Sequence, residues 1–154
     1  MKDDSPTLDE LLAQASQGDR EALGRLLEAQ RTPLHRLAEH QVRGRVAVRV
    51  DASDVIQQTF LEAYRSFPQF AGQDVRELVA WLQSILDHKV AGAIRDQART
   101  TLAAALSRAR LHGIVTNRDL LVAILREHDF ATGAIHTGYL DLHPPARLCA
   151  EGCR

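Results

Sequence analysis

The stretch Asp51–Arg65 reads DASDVIQQTFLEAYR, and its apolar side chains repeat with the period of an α-helix. Either Asp51 or Ser53 can cap the start of this helix. The apolar stripe needs a hydrophobic core and consists of Ile56, Phe60, Ala63 and Phe67. The opposite side is polar and carries Asp54, Gln57, Gln58, Glu62 and Arg65. Most polar helix faces are simply solvated, so the pattern predicts a helix packed on one side and leaves the role of the other side open.

The residues before this helix predict two more helices. The first is short, with Ser5 or Thr7 as its cap, and Gly18 ends it. The second begins at Asp19 and continues for about twenty residues, with a kink at Pro33, because proline removes a backbone donor and crowds the preceding turn. The segment GRVAVRV that follows has no strand to pair with. We therefore expect a loop there with three basic residues, Arg43, Arg45 and Arg49.

A loop separates the Asp51 helix from the next helix. The Asp51 helix should end near Phe67-Pro68, because the residue before a proline is disfavoured in helical geometry. The sequence QFAGQD follows, and Gly72 permits a tight turn within it. Phe70 stands at the shoulder of this loop. It either plugs the core or stacks on an unpaired nucleic-acid base.

The next helix is predicted from about Val75 to Arg95. Its inward stripe consists of Leu78, Leu82, Ile85, Leu86, Val90, Ala93 and Ile94. Trp81 lies one position off that stripe and is either a half-buried core residue or a base-stacking platform. The polar side offers enough side chains to follow one strand of a nucleic-acid backbone: Arg76, Gln83, His88, Lys89, Arg95 and Arg99.

Three segments together resemble region 2 of the bacterial ECF (extracytoplasmic function) sigma factors. The sequence DVIQQTFLEA, from Asp54 to Ala63, resembles their segment D-[LV]-[VI]-Q-[ED]-[TV]-F-L-x-A. Upstream, GDREALGRLLEAQRTPLHRLA is similar to the first long helix of that family. Downstream, FAGQDVRELVAWLQSIL resembles the pattern F-x-G…[FL]-x-x-W-L-x-x-I. The resemblance covers roughly Leu8 to Arg99 and its motifs occur in the family's order.

This resemblance implies two binding surfaces. One docks on the clamp-helix coiled coil of the largest subunit of the RNA polymerase core, and it would consist of Asp54, Gln57, Gln58, Leu61 and Glu62. The other contacts promoter DNA, mainly the single-stranded −10 element, through Phe70, Gln73, Arg76, Trp81, His88, Lys89, Arg95 and Arg99. In the family, the loop at Phe70 forms part of a pocket for a base flipped out of the −10 element. Binding the extruded base offsets the stacking energy that melting costs. An anti-sigma factor is a further partner that the resemblance suggests.

The tail of the chain has a different resemblance. Residues 102–143 look like the C-terminal end of a biotin carboxylase, with its elements G-[IV]-x-T-N-x-D-L, D-F-x-x-G and H-T-x-[FY]-L-D. The ATP-grasp loop and the catalytic residues of that family belong to parts that this segment does not contain. We therefore infer neither carboxylase activity nor binding of ATP or biotin. A chimeric reading frame produced by rearrangement is the alternative explanation for the tail.

The tail predicts two helices, one around Leu102 to Leu111 and a capped one from Asn117 to about Phe130, with a turn at His112-Gly113. The second helix has an apolar face of Leu120, Leu121, Ile124 and Leu125. This face must dock on the first domain, self-associate or stay partly exposed as a partner-binding or aggregation site. We therefore expect a sigma region 2-like domain in residues 1–100 and a helical appendage in residues 101–154.

Composition limits the function further. The 154 residues are 45% hydrophobic and 25% charged, as is usual for a globular protein, and the net charge of −1 argues against a strongly electrostatic nucleic-acid binder. No apolar run is long enough for a membrane span, and the N-terminus is not a signal peptide, so we expect a cytoplasmic protein. Neither a metal site nor another cofactor is expected, since the four zinc-ligand types near the C-terminus have no compact spacing: His136, His143, Cys149 and Cys153.

The sequence therefore predicts an all-α protein that is not an enzyme. Its expected activity is to bind RNA polymerase core and to help open promoter −10 DNA. The alternative is an interaction module that keeps the polymerase-docking helix but does not recognise promoters, and thus competes with complete sigma factors. A role as an accessory fragment of a carboxylase would require the tail to dominate the function.

Overall fold

The computed structural model describes residues 6–43, 50–110 and 116–152, and all regular elements within these ranges are helices. In chain order they are α1 (Leu8–Ser16), α2 (Arg20–Ala29), α3 (Arg31–Arg43), α4 (Ala52–Ser66), α5 (Val75–Arg108), α6 (Arg118–Arg126), α7 (His128–Thr132), α8 (Tyr139–Leu142) and α9 (Pro145–Gly152), with a 3-10 turn at Phe67–Gln69. The predicted all-α fold class is confirmed. The chain divides into two compact units, residues 1–94 and residues 95–154, and the division falls within α5.

The first two helices begin at side-chain caps. Thr7 accepts a hydrogen bond from the Glu10 backbone N–H, and the Glu10 carboxylate accepts one from the Thr7 N–H. This reciprocal capping box selects Thr7 from the two predicted caps of α1. Gly18 ends the helix with a φ of 97°, a backbone conformation that glycine adopts without steric cost. Asp19 then caps α2 through hydrogen bonds from the backbone N–H groups of its first turn.

The long second helix predicted from Asp19 to about Ala38 is in fact two helices, α2 and α3, which meet at Gln30. The prediction of a kinked but continuous helix was wrong. Pro33 lies in the first turn of α3, where a missing backbone N–H costs nothing, and its ring crowds the carbonyl four residues back, at Ala29. Because Ala29 is the last residue of α2, the helix breaks rather than bends.

The apolar side of α4 is the centre of the core of the first unit. Asp51 caps the helix, since its carboxylate accepts a hydrogen bond of 2.8 Å from the Ser53 N–H. The predicted stripe of Ile56, Phe60, Ala63 and Phe67 is buried, as are two residues that the stripe omitted, Val55 and Thr59. The Thr59 hydroxyl donates to the Val55 carbonyl at 2.8 Å, so this polar group is buried with a partner.

The same core takes leucines from the other helices of the first unit. Its buried members from those helices are Leu11, Leu12, Ala15, Ala22, Leu23, Leu26, Leu27, Leu34, Ala38, Leu78, Leu82, Leu86 and Val90. Gln41 of α3 also donates a hydrogen bond of 2.7 Å to the Asp87 carboxylate of α5. These contacts hold the polar side of α4 outward.

Helix α5 is longer than the sequence predicted. It runs without interruption from Val75 to Arg108, whereas the prediction ended one helix near Arg95 and began another near Leu102. The connecting residues 96–101, DQARTT, contain neither proline nor glycine, the two residues that most disfavour a helix interior. The one glycine of α5, Gly92, precedes this connection and costs only about 1 kcal/mol in a helix interior. No local signal therefore stops the helix.

The second unit contains short helices after α5. The helix predicted from Asn117 to about Phe130 is broken at Glu127, whose backbone is extended, and continues as α7. Asn117 precedes α6 without a side-chain cap, and the Thr116 hydroxyl accepts from the Arg118 N–H instead. Several predicted features lie outside the described residues: the possible helix cap Ser5, the basic residues Arg45 and Arg49, the turn at His112-Gly113, and Cys153.

The buried side of α6 differs from the one predicted. Val122 and Ala123 are its buried residues, whereas Leu121 is 39% exposed. The predicted face is therefore the less buried one: Leu120, Leu121, Ile124 and Leu125. The pattern did not indicate this, because Val122 lies between Arg118 and Arg126 around the helix axis, on the charged side of α6. The side that packs is decided by the neighbouring helices.

Candidate functional site

The exposed side of α4 carries the residues predicted to bind polymerase. Asp54, Gln57 and Gln58 are exposed, and 46% of the Leu61 surface is accessible to solvent. At about 100° per residue, Leu61 lies between the two glutamines around the helix axis. This face thus presents one large apolar side chain within a polar rim of low charge, on a helix whose other side is fixed in the core.

Glu62 lies at the border of this face, towards α5. Its carboxylate accepts a hydrogen bond of 3.1 Å from the ammonium group of Lys89. Both side chains are partly buried, with 41% of Glu62 and 33% of Lys89 exposed. The structure therefore joins a residue predicted to bind polymerase to a residue predicted to bind DNA.

A shallow groove of about 240 Å³ lies on the other border of the α4 face, between α4, α2 and the start of α3. Its lining includes Leu27, Phe60 and Leu61. The Arg31 guanidinium lies 5.0 Å from the centre of the Phe60 ring, which is a cation–π arrangement. Arg31 also donates to both carboxylate oxygens of Glu28, at 2.7 and 2.9 Å, and this hydrogen bond lowers the pKa of Glu28.

Tyr64 also lines this groove, a role that the helical pattern of the sequence does not predict. Its hydroxyl donates to the Arg20 carbonyl at 3.5 Å, and 41% of the residue is exposed. A Cβ atom at Gly24 would lie only 2.6 Å from the Tyr64 hydroxyl oxygen, so a larger residue there would require the Tyr64 side chain to move. An isolated glycine inside a helical pattern is the sequence signal that would have indicated such a close approach.

Three aromatic rings cluster where α4 ends and α5 begins. The centroid of the Phe70 ring lies 5.7 Å from that of Phe67 and 5.1 Å from that of Trp81. The Phe67 and Trp81 centroids lie 6.3 Å apart. Phe67 is buried, and the other two are partly buried. Gly72 is required by contact rather than by a positive φ, because a Cβ atom there would overlap the Phe70 ring. Phe70 thus packs against the core and keeps one part accessible.

A second groove, of about 830 Å³, opens beside Phe70 between the α1–α2 turn and the C-terminal end of α4. Tyr64 and Phe70 supply aromatic surface to it, and Arg20 and Arg65 supply positive charge. Neither guanidinium has a hydrogen bond or an ion pair with the described residues. The volume falls in the range of about 300 to 1,000 Å³ that is usual for small-ligand sites.

The start of α5 is fixed by hydrogen bonds that hold Gln73 and Arg76 at the surface. The Asp74 carboxylate accepts from the Glu77 N–H at 2.8 Å, and the Glu77 carboxylate accepts from the Gln73 N–H at 2.6 Å. Arg76 is 94% exposed and lies 3.8 Å from the Asp74 carboxylate. The spacing D-x-x-E from Asp74 to Glu77 is the sequence signal that indicates this helix start.

The other predicted DNA contacts on α5 do not form a single row. Trp81, His88 and Arg95 are seven residues apart and follow one line along the helix, whereas Arg76 belongs to the opposite edge of the polar side. The ring of His88 is exposed and contacts the Ser84 carbonyl at 2.8 Å. Lys89 points instead towards Glu62.

Arg99 lies in the second unit and contacts that unit. Its guanidinium donates to the Leu125 carbonyl at the end of α6, and only 21% of the side chain is exposed. Its Nε atom is buried without a hydrogen-bond partner and lies 3.9 Å from the Asp96 carboxylate. A contact of Arg99 with DNA would require this arrangement to open.

The parts of the chain that the structure describes contain no cluster of three or more His, Cys, Asp or Glu side chains that could hold a metal ion. Within those parts, too, no helix is both long and apolar enough to cross a membrane.

The family comparison agrees with this placement. Residues 30–100, a little under half of the chain, match the family Sigma-70 region 2, and the matched range includes α4, the aromatic cluster and most of α5. No curated protein and no solved structure matches the chain. Sigma-70 region 2 proteins are transcription factors without enzymatic activity that bind RNA polymerase core and promoter DNA. The match supports a sigma-factor-like role for this chain in transcription initiation.

Proposed function

We propose that the first unit acts as an ECF-like sigma region 2, which binds RNA polymerase core in the cytoplasm through the exposed side of α4. The partner surface would be the clamp-helix coiled coil of the largest subunit. The observation that carries this proposal is Leu61, 46% exposed and bordered by Asp54, Gln57 and Gln58 on a helix whose opposite face is buried. An anti-sigma factor that covered this face would prevent docking.

The second part of the proposal concerns promoter DNA. We infer that an unpaired base of the −10 element enters the groove of about 830 Å³ beside Phe70. Aromatic surface from Tyr64 and Phe70 favours stacking, which is worth about 1–3 kcal/mol per base. The free guanidinium groups of Arg20 and Arg65 border the groove and suit the adjacent phosphates.

Two contacts favour the alternative function, a polymerase-binding module that does not capture DNA. Lys89 is held by Glu62, and Arg99 is held by the Leu125 carbonyl, so two of the predicted cations already have partners. Such a module would occupy the docking site of complete sigma factors and lower their access to the core. The two functions predict the same core binding and differ in strand capture.

Core binding is tested with purified RNA polymerase core and fluorescently labelled full chain. Leu61→Asp should weaken binding at least tenfold, which corresponds to about 1.4 kcal/mol, because it places a charge at the centre of the contact. Leu102→Asp is the matched control, since Leu102 is 50% exposed but lies outside the α4 face. Equal binding of Leu61→Asp and the native chain would overturn the proposed docking face.

Strand capture is tested next with the assembled complex and a single-stranded oligonucleotide of the −10 region. Capture by the native complex, with loss on Phe70→Ala, supports a role in promoter opening. Binding of core without any capture of the strand would favour the competing module instead. Far-ultraviolet circular dichroism of each variant confirms that the helices have formed.

A further inference from the structure

Glu62 and Lys89 belong to two different proposed surfaces, yet they form one ion pair. Glu62 lies on α4 at the border of the polymerase-docking face, and Lys89 lies on α5 among the predicted DNA contacts. The 3.1 Å distance between the carboxylate and the ammonium group satisfies both charges while the protein is free. An ammonium group held in this way is less available to a phosphate.

We propose that this pair is a latch that couples the two sites: docking of the polymerase core on Glu62 releases Lys89 for the DNA backbone. A cationic side chain of the docked polymerase helix competes for the Glu62 carboxylate. Lys89 then exchanges a carboxylate partner for a phosphate, and the exchange favours DNA binding by the assembled complex over the free chain. The inference rests on the proposed function, because it assigns the release to polymerase docking.

Both positions suit such an exchange. The Glu62 side chain is 41% exposed, so a partner can reach the carboxylate, and Lys89 is 33% exposed, so its ammonium group can turn towards solvent. No other hydrogen bond to a described residue holds the Lys89 ammonium group or the Glu62 carboxylate in place. The ion pair at the start of α5, between Arg76 and Asp74, lies 3.8 Å apart on the surface and involves no residue of the α4 face.

The energy of the pair sets the size of the effect. Partly exposed ion pairs are weak, so the latch can change the affinity of Lys89 for a phosphate about 1.4- to fivefold. Coupling free energies between two sites are reciprocal, so bound DNA would strengthen core binding by the same factor. The effect therefore adjusts the order of assembly and does not determine whether binding occurs.

The test is a double-mutant cycle on the full chain at low ionic strength, where a partly exposed pair is least screened. A fluorescein-labelled single-stranded oligonucleotide is titrated with the native chain, Glu62→Gln, Lys89→Gln and the double variant, each with and without polymerase core. Without core, Glu62→Gln should raise the affinity by about 1.4- to fivefold more than the removal of an unpaired carboxylate does. In the Lys89→Gln background, or once core is bound, the same substitution should give no more than the gain from removing an unpaired carboxylate.

Loss of one negative charge raises DNA affinity wherever it occurs, so Asp54→Asn is the matched control. Asp54 is an exposed carboxylate on the same side of α4, and no ion pair with a described residue involves it. Equal gains from Glu62→Gln and Asp54→Asn, or a gain from Glu62→Gln that is as large in the Lys89→Gln background as in the native chain, would overturn the latch. A native chain that fails to bind core would contradict the proposed function, whereas the titrations without core still decide whether Glu62 restrains Lys89.

Discussion

The two units of this chain bury their side chains in different ways. The first unit has one continuous core of leucine, isoleucine and phenylalanine, to which all of its helices contribute. In the second unit, the described residues that are buried and hydrophobic are Ala103, Val122, Ala123, Tyr139 and Leu148, while Leu102, Leu121, Ile135, Leu140 and Leu142 are exposed. Helical periodicity is present in both units, but among the described residues the large cluster of buried apolar side chains lies in the first.

In the second unit, polar contacts compensate in part for the smaller number of buried apolar side chains. Arg118 donates to the Ala109 carbonyl at 2.7 Å, and His143 lies 3.0 Å from the Asp129 carboxylate with its ring stacked on Tyr139 at 4.5 Å. Both buried side-chain atoms that lack a hydrogen-bond partner in the described residues also lie in this unit, on Arg99 and Tyr139. The difference teaches that helices with fewer buried apolar contacts depend more on specific polar contacts. In the second unit some of the buried polar atoms lack a hydrogen-bond partner among the described residues.

The largest expected effect comes from a cavity in the first unit. Leu26 is fully buried, so Leu26→Ala should lower the free energy of unfolding by about 2–5 kcal/mol, measured by chemical denaturation. Leu121→Ala in the second unit removes a side chain that is 39% exposed and should cost less than about 1 kcal/mol. Equal losses from the two substitutions would contradict the difference between the units.

The next effect concerns the loop that positions Phe70. Gly72→Ala should cost about 1–3 kcal/mol, because the added methyl group overlaps the Phe70 ring and forces the aromatic cluster to shift. The emission of Trp81, the only tryptophan, should change as well. Gly92→Ala is the control, since open space surrounds that position and alanine favours the helix by about 0.5–1 kcal/mol. If both substitutions stabilise the protein, the Phe70 ring does not pack closely on Gly72.

A smaller effect, of the opposite sign, is expected in the second unit. The Tyr139 hydroxyl is buried without a hydrogen-bond partner, so Tyr139→Phe should leave stability unchanged or raise it by about 1 kcal/mol. Thermal unfolding followed by circular dichroism measures this change. Tyr64→Phe removes a hydroxyl that has a partner in the Arg20 carbonyl and should not stabilise the protein. A clear loss of stability in Tyr139→Phe would show that the hydroxyl has a partner after all.

The same tyrosine should make the second unit sensitive to alkaline pH. Burial raises the pKa of Tyr139 above its ordinary value of 10.0, and the charges of Glu127 and Asp129 raise it further. The neutral phenol is therefore favoured by folding, and this stability is complete below the unfolded pKa and is lost as pH rises through the folded pKa. When the free energy of unfolding is measured against pH, the Tyr139→Phe variant should lose less stability at alkaline pH than the native chain.

The smallest expected effect is at the groove beside the α4 face. The hydrogen bond from Arg31 lowers the pKa of Glu28 below its ordinary value of 4.5. Its contribution to stability is therefore present above the unfolded pKa and is lost as pH falls through the folded pKa. Glu28→Gln should reduce the loss of stability in that acidic range only slightly, because the pair is exposed. Identical acid unfolding curves after Arg31→Gln and in the native chain would exclude this contribution.

Local sequence patterns predicted much of the first unit. The period of α4, its Asp51 cap, the end of α1 at Gly18 and the polar side with Gln57 and Gln58 all depend on neighbouring residues, so they could be derived from the sequence. Patterns failed where a helix lacked a clear stop signal or where neighbouring helices decided which side packs. This is why α5 continues past Arg95, and why α6 buries Val122 rather than the predicted face.

The sequence by itself determined that the chain is helical and which side of α4 is buried, because hydrogen bonding and hydrophobic periodicity within a helix are local. Only the tertiary structure decided that Glu62 pairs with Lys89, that Tyr64 crosses α2 at Gly24, and that Phe70 packs on Trp81. Glu62 and Lys89 are 27 positions apart in the sequence, and Gly24 and Tyr64 are 40 positions apart. Their meeting depends on how whole helices pack, which spacing along one helix cannot specify.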